Sequence, residues 1–420
     1  MSEEPDDVLE LGLARSCSGR KVEDRARLFD VLSPYDGSVV GRASDIDCRT
    51  LAPRFDEGSR AARKLQNTQR VQERLRNWAA KIEARRDELA RIVSVETGKP
   101  IRFARVEVAT AVATLDAHVS CPPVPLVRDW PAAQSAFSIL NWCDPVLSTV
   151  REAATVLNSG RALVIKPSSQ APLASRELAV LWNEGDEQDA LLCVAPSTDA
   201  VGMLRAALMS SQVTEVRFQG SRDVGTFVSS VCHEAVVPVS ICASERIPLV
   251  AHARADVSSR CDAVINRAFL PPLLSCAGRI SCLYVHDSLA DSLIPALIDK
   301  VSSLRVGDPL DDETDIGPVI DDVATALISE QVEDALYEGA TLLGGQIVLD
   351  GRQLQPMVLD HAKPFMRVCV EDLEGPLLPV VRFGHPSELP STACLTVDSL
   401  MQSVNHERFD WSRFSRQNAR

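Results

Sequence analysis

The chain has 420 residues, 45% of them hydrophobic and 24% charged, enough for two or three domains with sizeable cores. Its formal net charge of −14 argues against nucleic acid or an anionic membrane surface as a partner, and no continuous apolar run reaches membrane-spanning length. The acidic N-terminus is unlike a secretory signal, and twelve cysteines scattered without C-x-x-C pairs read as buried reduced thiols of a cytoplasmic protein rather than zinc ligands or disulfides.

In chain order, residues 1–30 are polar and mixed in charge, a tail by composition. Val31 to Ser44 alternates as a hairpin does, with Pro34, Asp36 and Gly37 in the turn. From Leu51 to Thr97, Val71, Leu75, Trp78, Ile82, Leu89, Ile92 and Val93 fall on one helical face, and Gly98 and Pro100 end the run. A second helix is expected over Arg102–His118, and the prolines between Cys121 and Pro131 exclude regular helix there. A helix over Arg151–Ser159 and a buried strand over Ala162–Ile165 follow, the strand delivering Lys166. Val216 to Val231 has the form of a strand, a glycine turn at Gly220 and a helix, whose first N–H groups and dipole suit a phosphate. Val237–Ala251 and Leu283–His286 read as strands. Asp308–Asp315 is an acidic loop, Asp321–Glu338 a helix and Gln346–Leu349 a strand, and Gln402–Arg420 is polar and basic.

VRFQGSRDVG (Val216–Gly225) resembles the F-T-G-S-x-x-V-G motif of the aldehyde dehydrogenase superfamily. Further stretches match it in order: SPYDGSVVG (Ser33–Gly41), ETGKP (Glu96–Pro100), VIKPSSQAPL (Val164–Leu173), VGDPLDDETDIGPVI (Val306–Ile320), GATLLGG (Gly339–Gly345) and EDLEGPLLPVV (Glu371–Val381). The resemblance implies an α/β fold of two doubly wound parallel-sheet domains plus a reduced oligomerisation element. On it, residues 31–239 are the dinucleotide-binding domain, with 121–140 as the shortened oligomerisation hairpin. Residues 240–381 are the second, catalytic-type domain, and 382–420 a truncated C-terminal segment.

It also implies roles for residues. Lys166 would meet the adenosine ribose of NAD or NADP, although Ser169 stands where a glutamate usually shares that work, and Ser168 would be a further cofactor-binding residue. Gly220, Ser221 and Gly225 would receive the phosphates, and Asp372 would grip the nicotinamide ribose. The family's glycine-rich connection is replaced by the acidic stretch Glu184–Asp189. Aligning Trp142 and Pro145 with the family's P-W-N-F-P puts Cys143 on the oxyanion asparagine, a weak donor in place of an amide. Matching Pro248 and Leu249 puts Cys242 on the general-base glutamate, where a thiol of ordinary pKa accepts a proton badly. Glu245, at an odd offset from Cys242, would point to the opposite face of an extended strand. Counting from Phe269 puts Cys276 on the nucleophile; counting back from Leu283 puts Ala277 there. Pro271–Ser275 replace the polar N-x-G-Q loop with an apolar one.

Three readings follow. The first is a family member with impaired or lost catalysis. The second is an active NAD(P)-dependent enzyme in which Cys276 attacks a small aldehyde and water releases the acid. The third is a nucleotide-binding module without turnover. A homo-oligomer is compatible with each, with its usual assembly elements shortened.

Overall fold

A computed structural model describes residues 27–64, 68–120, 134–184, 190–243, 247–252, 257–270, 280–345, 351–390 and 395–397. They fall into two compact units. The first holds the described residues up to 243 together with Gly307–Ile320; the second holds the rest.

The first unit opens with an antiparallel hairpin, β1 (Leu28–Leu32) and β2 (Val39–Ser44), closed by Gly37 at φ 73. Four helices follow: α1 (Ala52–Lys64), α2 (Thr68–Ala84), α3 (Arg86–Thr97) and α4 (Ile101–Ser120). The winding part is β3 (Ser135–Ile139), α5 (Pro145–Asn158), β4 (Ala162–Lys166), α6 (Leu173–Asn183), β5 (Leu192–Val194), α7 (Ala200–Leu208), β6 (Val213–Gly220), α8 (Arg222–Glu234) and β7 (Val239–Ala243). The strands lie parallel in the order β5-β4-β3-β6-β7. The chain starts at the centre, winds outward through β4 and β5, then crosses back to β6. That reversal between β3 and β6 is the switch point at which such sheets receive ligands, outside the carboxyl ends of the strands. Both faces of the sheet are covered, so β3 and β4 are buried at every position. Phe55, Phe137, Val164 and Phe218 pack on one face; Ala136, Leu163 and Ile165 join the helical core on the other.

Two buried glutamates organise the helices beside this sheet. Glu96 accepts N–H bonds from Leu173 (2.7 Å) and Ala174 (3.0 Å), closing the start of α6. Glu107 accepts from Val146 (2.9 Å) and Leu147 (3.2 Å) at the start of α5, while Lys99 bridges Glu107 and Asp144, the latter at 2.7 Å. A carboxylate at a helix start satisfies orphan amides and the dipole together. Gly98 ends α3 at φ 75, and a Cβ there would lie 2.8 Å from Pro318 Cγ. A Cβ on Gly317 would lie 1.8 Å from the Gly98 carbonyl oxygen, and the Ile101 N–H donates to the Pro309 carbonyl at 2.7 Å. The ETGKP turn and the 307–320 loop therefore interlock backbone to backbone.

The second unit comprises β8 (Ile247–Ala251), α9 (Val257–Ala268), β9 (Ile280–His286), α10 (Asp287–Val301), α11 (Asp322–Tyr337), β10 (Thr341–Leu343), β11 (Met357–Asp360), α12 (Arg367–Val370), β12 (Leu377–Phe383) and β13 (Leu395–Thr396). Its sheet runs β10-β11-β12-β9-β8-β13, parallel except for the β10–β11 pair. None of the helices in the described residues is long and apolar enough to cross a membrane.

Several sequence expectations shift. The hairpin begins at Leu28, inside the expected tail. The helical run 51–97 is broken where Arg85 leaves helical geometry at φ −112, ψ 25, and residues 65–67 lie outside the described residues. Residues 135–139 of the expected oligomerisation hairpin are β3, the central strand, because all five are buried between sheet neighbours; residues 121–133 lie outside the described residues. Val237–Ala251 is two strands of different sheets, so β7 stays with the first unit instead of opening the second domain at 240. The 307–320 loop also leaves the expected 240–381 domain, drawn into the first unit by the Gly98–Gly317 interlock. The limit at 381 cuts β12, and β13 returns from the C-terminal segment to pair with β8. Gln346–Leu349 and Gln402–Arg420 lie outside the described residues. Cys193 is disulfide-bonded, an exception to the expected reduced thiols, since spacing along the chain does not report which sulfurs meet in space; Cys48, Cys143, Cys232, Cys242, Cys261, Cys282 and Cys369 are not disulfide-bonded.

Candidate functional site

The carboxyl ends of β4, β3, β6 and β7 bring together four of the expected stretches: Lys166–Ser168, Leu140–Asp144, Gly220–Ser221 and Cys242–Ala243. Lys166 is the last residue of β4 and only 5% exposed. Among the described residues no hydrogen bond or ion pair reaches its ammonium. Burial pushes its pKa down to about 8 from 10.5, against the opposing pull of Asp45 and Asp199. Those carboxylates are fixed by the loop after β5. Asp45 accepts from the Thr198 N–H (2.9 Å) and hydroxyl (3.0 Å), and Asp199 accepts from the Gly202 N–H (2.8 Å) at the start of α7. Ser168 is half-buried and accepts from the Gln170 N–H at 3.2 Å.

At the switch point, β6 runs into α8 through Gly220 and Ser221. A Cβ on Gly220 would lie 2.6 Å from the Phe218 ring, and one on Gly225 would lie 3.1 Å from Ile241. Both glycines therefore serve close packing of the helix start against the sheet. The Ser221 side chain makes no capping bond to α8. The starts of α5, α6 and α7, by contrast, are closed by Glu107, Glu96 and Asp199.

Cys143 is half-buried in the loop after β3, and Cys242 is exposed on the edge strand β7, in register with Gln219. Among the described residues, the carboxylates on β3, β4, β6, β7, α5 and the loop after β3 are Asp144, Glu152 and Glu215. Each is committed to a cation. Asp144 pairs with Lys99, Glu152 with Arg217, and Glu215 with Arg161 and Arg217, both at 2.9 Å. Burial alone would raise the Glu215 pKa, but the Ser240 hydroxyl and the two arginines outweigh it and hold it below the usual range. These commitments were not foreseen from sequence. The one signal for them was acidic residues at apolar phases, such as Glu107 within α4. Glu96 and Lys99, read there as part of a turn, prove to be a cap and a buried counter-ion.

Cys276, Glu245 and the 271–279 loop lie outside the described residues, as do residues 185–189 of the acidic stretch. Asp372 belongs to the second unit, between α12 and β12, where its carbonyl accepts from Gln331 Nε2 at 3.3 Å. Among the described residues no cluster of His, Cys, Asp and Glu could hold a metal.

A doubly wound parallel sheet, with Lys166 at one strand end and the start of α8 at its switch point, defines the class as α/β. The chain belongs to the aldehyde dehydrogenase family, whose model matches residues 21–393. It is 27% identical over 387 residues to the glutarate-semialdehyde dehydrogenase of Pseudomonas putida, covering 87% of this chain and 79% of that one. It is 28% identical over 388 residues to the NADP(+) succinate-semialdehyde dehydrogenase of Escherichia coli, with the same coverage. Among solved structures, the aldehyde dehydrogenase of Brucella melitensis has a TM-score of 0.83 at 24% identity, over 91% of this chain and 83% of that one. A 3,6-anhydro-L-galactose dehydrogenase in complex with NAP has a TM-score of 0.80 at 22% identity, over 88% and 82%. These two likenesses establish the fold.

Proposed function

We propose that this chain is a nicotinamide-dinucleotide-binding member of the aldehyde dehydrogenase family in which aldehyde oxidation is impaired or lost, acting in the cytoplasm. Binding is supported by Lys166, whose buried ammonium has no hydrogen bond or ion pair among the described residues and suits a ribose hydroxyl, with Ser168 beside it. It is supported also by the α8 start, at the turn of Gly220 and Ser221 and one helical turn before Gly225, where the Ser221 side chain makes no capping bond and the helix dipole suits a phosphate. Bound there, NAD or NADP would supply the hydride acceptor. The assignment of Asp372 to the second ribose rests on its EDLEGP match alone.

The single observation that carries the loss of oxidation is the chemistry of the β3 and β7 ends. Thiols stand at both expected positions, and among the described residues the carboxylates of β6, α5 and the loop after β3 are engaged by Lys99, Arg161 and Arg217. One missing oxyanion donor alone costs roughly 2.7–4 kcal/mol in the transition state.

Titrating the protein with NAD and NADP while following tryptophan fluorescence tests binding. Incubation with succinate or glutarate semialdehyde, the substrates in the names of two relatives, tests turnover. Saturable binding without reduced nicotinamide is expected. The second reading, an active dehydrogenase of small aldehydes, is favoured by the dehydrogenase names of those relatives; turnover abolished by Cys276→Ser would establish it.

A further inference from the structure

We infer that Cys282 and Cys369 are an oxidisable pair, which a hydroperoxide converts into a disulfide tying α12 to β9. Neither is disulfide-bonded, and their sulfurs lie 3.8 Å apart, in van der Waals contact. A disulfide needs about 2.05 Å, so the gap closes by roughly 1.8 Å. The two partners differ in how readily they move. Cys282 sits in the middle of β9, which is hydrogen-bonded on one side to β8 and on the other to β12. Cys369 sits in the single turn α12, whose next residue, Val370, is 49% exposed. The closing movement therefore falls on α12.

Access follows the same order, with Cys369 at 9% exposure and Cys282 at 2%. The Cys369 sulfur attacks a peroxide oxygen, forming a sulfenic acid and releasing water or an alcohol. The Cys282 sulfur then displaces that oxygen as water. Two thiols and one hydroperoxide give one disulfide, one water and the reduced hydroperoxide. Cys242 is more exposed than either.

Beyond Cys369 the chain runs directly into Glu371–Gly375. In that segment Glu371 accepts from Arg367 at 2.8 Å and from the buried Gln331 at 3.1 Å, and Arg367 also pairs with Asp334 at 2.6 Å. Drawing α12 onto β9 pulls on this segment and on Asp372 within it. The regulatory consequence, weaker dinucleotide binding after oxidation, rests on the proposed role of Asp372; the chemistry of the pair does not.

The test uses the full chain treated with hydrogen peroxide and mapped as peptides without reductant. The expected product is a peptide pair joined through Cys282 and Cys369, lighter by two hydrogens and separated again by dithiothreitol. Hydrogen exchange across 366–376 slows in the oxidised protein and is unchanged by peroxide in Cys369→Ala. In Cys282→Ala, Cys369 stops as a sulfenic acid that a dimedone label captures. Oxidation of Cys369 without the cross-link, or cross-linking of another pair, overturns the inference; the wild-type map decides even if neither variant folds. A reduced protein that binds neither NAD nor NADP would count against the proposed function, while the peptide map would still decide the thiol pair.

Discussion

Replacing Lys166 by methionine keeps length and bulk while removing the buried charge. The fall in its pKa from 10.5 to about 8 is a difference of about 2.5, which at ~1.36 kcal/mol each corresponds to roughly 3 kcal/mol of destabilisation at neutral pH. The sign follows from proton counting. Between about pH 8 and pH 10.5 the unfolded chain holds a proton at this amine that the folded chain has released, so stability rises with pH across that window. Below it both states are protonated and the penalty is fully present. Lys166→Met should thus be more stable than wild type at neutral pH by about 1–3 kcal/mol, a melting rise of several degrees, roughly 2–4 °C per kcal/mol for a unit of this size. The difference should vanish toward alkaline pH. Dinucleotide affinity should fall roughly ten- to hundredfold, the loss of a charged hydrogen bond. Melting curves of both proteins from about pH 7 to pH 10, with fluorescence titration alongside, supply the measurements. A variant less stable than wild type at neutral pH, or one with an unchanged pH slope, would refute the assignment of an unpartnered ammonium.

Lys99→Met leaves Glu107 and Asp144 buried without their cation and should cost roughly 3–5 kcal/mol in denaturant unfolding, with near wild-type stability counting against the triad. Gly317→Ala forces a Cβ against the Gly98 carbonyl and should lower stability by about 2 kcal/mol or more, with hydrogen exchange quickening at Ile101, whose N–H bonds Pro309; protection unchanged there would refute the interlock. With a maleimide at neutral pH, exposed Cys242 should label first among the described cysteines, and Cys232, pushed up to about 11 by burial, should label last. Loss of the fast phase in Cys242→Ser supports this order; its loss only in Cys276→Ser would point to a working nucleophile.

The elements that came through clearly in the sequence are those whose burial pattern is local. Ala162–Lys166 reads as a wholly buried strand because nothing but sheet and helix surrounds it, and the Ser33–Gly37 turn carries its own backbone chemistry. Arg85 was invisible as a break because the apolar phase resumes on the far side with Leu89. Val237–Ala251 read as one strand because both of its halves are extended, and no local pattern reports that a chain changes sheet. The positions of Lys166, Cys143 and Cys242 at strand ends were legible from motif order. The engagements of Glu96, Glu107 and Glu152 were not, since each partner lies tens of residues away and only packing brings them together.

The interlock of Gly98 with Gly317 bears on how the chain can be taken apart. A cut just after β7 would not release a self-sufficient amino-terminal half, because the short acidic excursion that seats against Pro100 and Ile101 would depart with the other piece. A faithful dissection has to graft residues 307–320 back as a separate peptide, and the recovery of cooperative melting on adding it would measure how much the amino-terminal half owes to a segment encoded so far downstream.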